Sequence, residues 1–284
     1  MILRKDLIYS SCSMDKERDK EKEQKDLIIK PMPLDSEKED SKISKLDKRL
    51  FGHPFRCVIV GSSGGGKSSF LYSLLSDKKM YADFFDKVLI WNGSPRYNSQ
   101  FKKLKNVEVY NSFDPEEIKN IVDEIRIMQE ERKSENLRYY RILFVFDDYS
   151  SKGLVSRNSI NIIDDVFCSG RNAGISIILT SQVYKHINRN CRMTNVTHLV
   201  VIGVNQEMMK EISEEHQSEF ATPDDIVNIY KDIRKKDNYG HLIVDYKKPS
   251  KERFRTLNKI YKIADNVQLV KESLGRDKEG SGKS

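Results

Sequence analysis

The run Gly61-Ser62-Ser63-Gly64-Gly65-Gly66-Lys67-Ser68 constrains this chain more than any other feature, because of what flanks it. Before it stands the short apolar strand Arg56-Cys57-Val58-Ile59-Val60; after it Phe70, Leu71, Leu74 and Leu75 recur on one helical face. A polyphosphate held away from bulk water needs many backbone N–H donors and little steric bulk. A glycine loop running into a helix N-terminus supplies both. Gly61, Gly64, Gly65 and Gly66 provide the backbone freedom, with Ser62, Ser63 and Ser69 completing the phosphate-binding segment. Lys67 places a point charge at the β- and γ-phosphates, and the Ser68 hydroxyl is positioned to ligate Mg²⁺. A flexible Gly/Ser linker would explain the letters but not the strand and helix around them. The ligands expected are therefore ATP and Mg²⁺. The closing Gly280-Ser281-Gly282-Lys283-Ser284 resembles the same loop by letters only, with no strand before it or helix after it.

A second apolar strand, Ile142-Leu143-Phe144-Val145-Phe146, ends in Asp147-Asp148. Asp147 at its tip is the candidate for the magnesium shell opposite Ser68, and Asp148 the candidate to orient or deprotonate an attacking water. The bland alternative for Asp148 is the start of a loop. Two strand candidates, Lys87–Trp91 and Val107–Tyr110, intervene between the loop strand and this one. The Asp147 strand is accordingly expected next to the loop strand in space though not in sequence, the arrangement of ATP motors. No guanine-reading Asn-Lys-x-Asp element occurs.

Gln182 follows the strand Ile175–Thr180, which is placed beyond the Asp147 strand, so its amide would approach the γ-phosphate from the far side of the cleft and report its presence. Otherwise it is a surface amide. Arg171, in Gly170-Arg171-Asn172, lies where a helix ends. Reaching into a neighbouring subunit it would stabilise transition-state charge; as a simple helix C-terminal cation it is worth roughly 0.3 to 1 kcal/mol. Trp91 reads as packing, not as a base-stacking surface. Lys185, His186, Arg189 and Arg192 form a short basic loop that is either solvated or a DNA contact.

Strand and helix patterns alternate through the middle of the chain, which predicts an α/β fold: a mostly parallel central sheet with helices on both faces, a P-loop NTPase of the ASCE, RecA-like type. Asp114-Pro115-Glu116-Glu117 starts a helix with the buried stripe Ile118, Ile121, Val122 and Ile125, and Thr222-Pro223-Asp224-Asp225 caps another. Residues 1–50 are rich in Lys, Glu, Asp and Ser and read as a disordered charged N-terminal arm; residues 51–262 read as the ATPase domain, and 263–284 as a C-terminal helix and flexible tail. His241–Asp245 and Arg253–Leu257 read as a hairpin or edge strands.

The formal charge of +7 concentrates in Lys231–Lys262, where eleven Lys/Arg face four acids. Such a stretch either neutralises nucleic-acid phosphates or is solvated surface. The 4 cysteines form no CxxC pair, and no apolar run approaches the roughly 18 residues of a membrane span. A soluble, intracellular protein without structural metal or membrane span is expected.

Taken in order, Phe55–Leu75, Leu143–Asp148, Gly170-Arg171 through Ser176–Leu179 to Gln182-Val183-Tyr184-Lys185-His186, and Asn195-Val196-Thr197-His198 resemble the poxvirus-type genome-packaging ATPases of large DNA viruses and virophages, within the FtsK–HerA superfamily. The resemblance runs from about Phe51 to Asp245. It implies a homo-oligomeric ring, pentameric or hexameric, that hydrolyses ATP to drive double-stranded DNA into a preformed capsid, with a capsid or vertex protein as partner. It also implies a location at the virus assembly site in the host cytoplasm or in the virion. Asp148 stands where many motors of the superfamily carry glutamate. Two further readings are an ATP-dependent helicase or DNA pump of a plasmid or cell, and a nucleotide-gated adaptor.

Overall fold

The computed structural model describes residues 45–92, 98–149, 157–263 and 269–273. Alternation of side chains along β1 (Arg56–Val60) organises the core. Val58 and Val60 face one apolar cluster, while Cys57 and Ile59 face the other. A strand buried on both faces belongs in the middle of a sheet, and β1 sits there, paired in parallel with β5 (Ile175–Ser181) on one side and β6 (His198–Ile202) on the other.

The other elements follow in chain order. Helix α1 (Lys67–Ser76) leaves the glycine loop and buries Leu71, Leu74 and Leu75 against the Cys57 face. Strand β2 (Lys87–Asn92), the short α2 (Asn98–Phe101) and β3 (Val107–Tyr110) come next. Helix α3 (Pro115–Ser134) is capped by Asp114, whose side chain accepts from the N–H groups of Glu116 and Glu117, and it buries Ile118, Val122 and Ile125 on the Val58 face. Then come β4 (Ile142–Asp147), α4 (Arg157–Ser169), a 3₁₀ turn at Gly170–Ala173, β5 and β6. Helix α5 (Gln206–His216), capped by Asn205, packs beside α6 (Pro223–Lys236), capped by Thr222. Sequence patterning indicated α6 but passed over α5, whose Met209 and Ile212 are buried. Strands β7 (His241–Asp245), β8 (Phe254–Arg255), β9 (Lys259–Ile263) and β10 (Leu269–Ser273) are the last of the described elements.

Among the described residues the sheet has ten strands in the order β10-β9-β8-β7-β6-β1-β5-β4-β2-β3. The part from β6 to β3 is parallel; the part from β7 to β10 is an antiparallel extension. The mostly parallel α/β architecture is as expected from the sequence, and of the two readings of His241–Asp245 and Arg253–Leu257, hairpin or edge strands, β7 and β8 pair antiparallel as the hairpin.

Three expectations need correction. The Asp147 strand is not beside the loop strand: β5 lies between β1 and β4. Both β4 and β5 are buried from end to end, so a need for burial does not distinguish which of them lies next to β1. The segment after Lys262, read as a helix, continues β9 to Ile263 and pairs Leu269–Ser273 antiparallel against it, because an unpaired strand edge offers a free row of backbone groups. Residues 264–268 and 274–284 lie outside the described residues. The arm read as ending at residue 50 also gives way to packed structure earlier. Leu46 and Leu50 join the Cys57-face cluster, and the Arg49 carbonyl accepts from Arg255 Nη1 at 2.8 Å. The remainder of the arm, 1–44, lies outside the described residues. Among the described residues no helix is long and apolar enough to cross a membrane.

Candidate nucleotide site

The loop emerges from the end of β1 at the carboxyl edge of the parallel strands, where ligands of open α/β sheets gather. Backbone steric demands explain its glycines. Gly66 takes φ 104°, a region closed to ordinary side chains, and becomes the N-cap of α1. At Gly61 a Cβ would stand 2.2 Å from the Ile202 carbonyl oxygen, so β6 could not approach the loop if any other residue were there. Helix α1 has no side-chain cap and no acidic residue in its first turn, which leaves its N-terminal N–H groups available to an anion. Lys67 folds back over the loop, donating to the carbonyls of Gly61 at 2.6 Å and Ser62 at 3.2 Å.

Across from the loop stand the ends of β4 and β5. Thr180 joins the two candidate acids: its hydroxyl donates to Asp147 Oδ1 and accepts the Asp148 N–H at 2.9 Å. Asp148 takes a left-handed φ of 54°, and Gln182 Nε2 donates to its Oδ1 and Oδ2, both at 3.2 Å. Just behind, the Tyr149 hydroxyl donates to Asp164 Oδ1 at 2.6 Å, which ties the chain after Asp148 to α4. The cleft so formed has a volume of about 340 Å³ and is lined by Ser63, Gly64, Gly65, Gly66, Lys67, Ser68, Ser69, Asp148, Gln182 and Tyr239. Gln182 therefore does not reach in from the far side. Because β5 is the middle strand, its amide lies between the loop and Asp148.

Asp147 sits beneath this lining, buried, and burial raises its pKa; the Thr180 hydrogen bond opposes that rise, and the Asp148 charge adds to it. Burial lowers the Lys67 pKa, partly offset by Asp148 and then Asp147. Two carboxylates around one desolvated ammonium form a site short of positive charge. Carboxylate and hydroxyl oxygens are the donors Mg²⁺ prefers, and Asp147, Asp148 and Ser68 supply them. Among the described residues no three His, Cys, Asp or Glu side chains gather to hold a metal by themselves. A magnesium that shares its ligands with phosphate needs no such cage.

Residues 43–253 match the family described as poxvirus A32 protein. The chain belongs to that family. The DNA packaging protein OPG160 of variola virus is 30% identical over 165 residues, covering 56% of this chain and 57% of that protein. Its vaccinia virus (strain Copenhagen) counterpart is 29% identical over 163 residues, covering 55% and 56%. The monkeypox virus counterpart is 29% identical over 165 residues, covering 55% and 50%. The chain thus spans about half the length of these relatives, from 50% to 57%. Among solved structures, the genome packaging NTPase B204 of Sulfolobus turreted icosahedral virus 2, in complex with AMP, superposes with a TM-score of 0.44 at 14% identity, covering 68% of this chain and 93% of that one. EssC (ATPases 2 and 3) from Geobacillus thermodenitrificans gives 0.47 at 15%, covering 60% and 36%.

Not every residue singled out in the sequence of this A32-family chain reaches the cleft. Arg171 lies in the turn before β5, at the edge where the parallel strands begin, close enough to Arg56 for its charge to depress the Arg56 pKa after burial has done so. The cleft is at the other edge. Two cations of the basic loop after Gln182 share one carboxylate within the fold: Arg192 holds Glu215 through Nε at 2.9 Å and Nη2 at 3.0 Å, and Lys185 pairs with the same group. His186 and Arg189 are exposed. In the 231–262 stretch, Arg255 is buried against Asp245 at 2.8 Å and Lys236 pairs with Asp232 at 3.0 Å, while Lys231, Lys235 and Lys247 are exposed. Trp91 is packed, stacked between Tyr110 and Phe146. Two residues of the site escaped sequence reasoning. Thr180 is the last residue but one of an apolar strand, and its polarity there was the available signal. Tyr239 lies far along the chain in a turn with no motif.

Proposed function

We propose that this chain is an ATP-hydrolysing motor that drives double-stranded DNA into a preformed viral capsid, acting as a homo-oligomeric ring docked on a capsid or vertex protein at the assembly site in the host cytoplasm or in the virion. The observation that carries the reading is the cleft. An uncapped helix N-terminus and Lys67 face a carboxylate, Asp148, held in place by Thr180 and Gln182. That is a phosphate seat with a water-activating group opposite it. Membership of the poxvirus A32 family, whose relatives in variola and vaccinia viruses are named DNA packaging proteins, supports DNA as what is moved.

In this reading the N–H groups of Ser63–Ser69 cradle the phosphates and Lys67 leaves the loop carbonyls for the β- and γ-phosphates. Ser68 and Asp147 hold Mg²⁺, which supplies charge neutralisation where the bond to the γ-phosphate breaks. Asp148 orients and deprotonates the attacking water, and Gln182, bonded to Asp148, exchanges that bond for one to the γ-phosphate. Arg171 serves the nucleotide of a neighbouring subunit.

ATP hydrolysis, with and without linear duplex DNA over a salt series, tests the reading in the parent and in Lys67→Ala. Turnover that requires Lys67, rises with duplex and weakens as salt increases is expected. Lys67-dependent turnover indifferent to duplex at every salt concentration would end the DNA-motor reading while keeping the ATPase.

A further inference from the structure

We propose that Tyr239 is the platform on which the base of the bound nucleotide stacks, an inference that rests on the nucleotide reading of the cleft. Tyr239 lines the cleft together with Ser63–Ser69, and among the described residues of that lining it is the sole aromatic. Its ring edge, Cδ1, comes within 3.3 Å of where a Cβ on Gly66 would stand, so it lies directly over the N-cap of α1. In the proposed pose a triphosphate seated on the loop has its nucleoside end at this rim.

Tyr239 is 70% exposed, whereas the other large aromatics among the described residues are mostly buried. Its backbone, in contrast, is tightly held. The Tyr239 N–H donates to Asp237 Oδ1 at 2.8 Å and the Gly240 N–H to the Asp237 carbonyl at 2.9 Å. A Cβ on Gly240 would meet Ile233 Cγ2 at 2.7 Å, so the turn is pressed against α6. On the other side, His241 packs against Phe70 of α1, the rings tilted by 57° with centroids 4.7 Å apart. A fixed turn thus presents an open aromatic face beside a phosphate seat. Every base offers a π-face, and such a surface gains affinity from it without reading base edges.

Calorimetric titration of the parent, Tyr239→Ala and Tyr239→Phe with Mg-ATP and with inorganic tripolyphosphate tests this. Tyr239→Ala is expected to bind ATP about 10- to 100-fold more weakly while its tripolyphosphate affinity stays at the parent's, the range set by base–aromatic stacking. Tyr239→Phe is expected to keep the parent's affinity for both. ATP affinity unchanged in Tyr239→Ala would overturn the inference. So would an equal loss for both ligands, since that would mean Tyr239 only supports the loop. A parent that binds neither ligand would instead remove the nucleotide reading of the cleft, and this inference with it.

Discussion

Thr180 is the residue whose role is clearest in three dimensions and faintest in the chain. One hydroxyl donates to Asp147 and accepts from the Asp148 backbone, so it fixes both acids with respect to β5 and hence to the loop. Replacing it by valine keeps the shape and the β-branch and removes both bonds. Thr180→Val is expected to lower the rate of hydrolysis at saturating ATP by roughly 10- to 100-fold, as loss of a bond that orients a metal or catalytic ligand does, with ATP binding retained. A saturated rate equal to the parent's would show that the acids need no such support. Lys67, Ser68 and the glycines were legible because their spacing is tied to one local strand–loop–helix unit. Thr180 was not, because its partners are 32 and 33 residues away.

At the scale of elements, the two strands that carry the acids and flank them are joined at their beginnings by one carboxylate. Asp86, just before β2, accepts from Arg138 Nη1 at 2.8 Å, from Arg141 Nη2 at 3.0 Å and from the Arg141 N–H at 2.9 Å, just before β4. Burial would raise the Asp86 pKa, but the Arg138 and Arg141 bonds outweigh it and hold it at about 2, below the usual 3.8. A depressed folded-state value means that the stabilisation is complete above pH 4 and is lost as the pH falls towards 2. Its size is about 2 kcal/mol. Urea melts should find Asp86→Asn less stable than the parent by about that amount at pH 7, with the gap narrowing at pH 3 and closing near pH 2. A gap independent of pH would remove the ion pairs as its cause. Helices α3 and α6 announced themselves through Asp-Pro and capped-proline starts, whereas α5, whose Asn205 cap is followed by a stripe of Met209, Ile212 and His216, was overlooked for want of a continuous apolar face.

At the scale of the whole molecule, the separation between Arg171 and the cleft sets a condition on the proposed ring. The arginine stands where β1 and β5 begin and the phosphate loop where β1 ends, so any catalytic role falls to a neighbour's site. Arg171→Ala should therefore keep ATP binding and lose turnover by about 10³-fold. Mixing it with Lys67→Ala, which retains the arginine, should restore activity in rings that combine intact clefts with intact arginines. Mixed assemblies of unchanged size that stay inactive would place Arg171 outside the reaction.

The local grammar of this chain was enough to determine the phosphate loop, the acid-tipped strand, the alternation of strands and helices and most of their boundaries, because each depends on residues within a few positions of one another. Lateral strand order was decided only by the tertiary structure. β4 and β5 are equally buried, and which of them touches β1 follows from how the crossovers pack, which no local signal records. That one choice puts Gln182 between the loop and Asp148, makes Thr180 the link between the acids, and, with the turn that closes α6 against the loop, brings Tyr239 to the rim of the cleft from more than 170 positions further along the chain than Gly66.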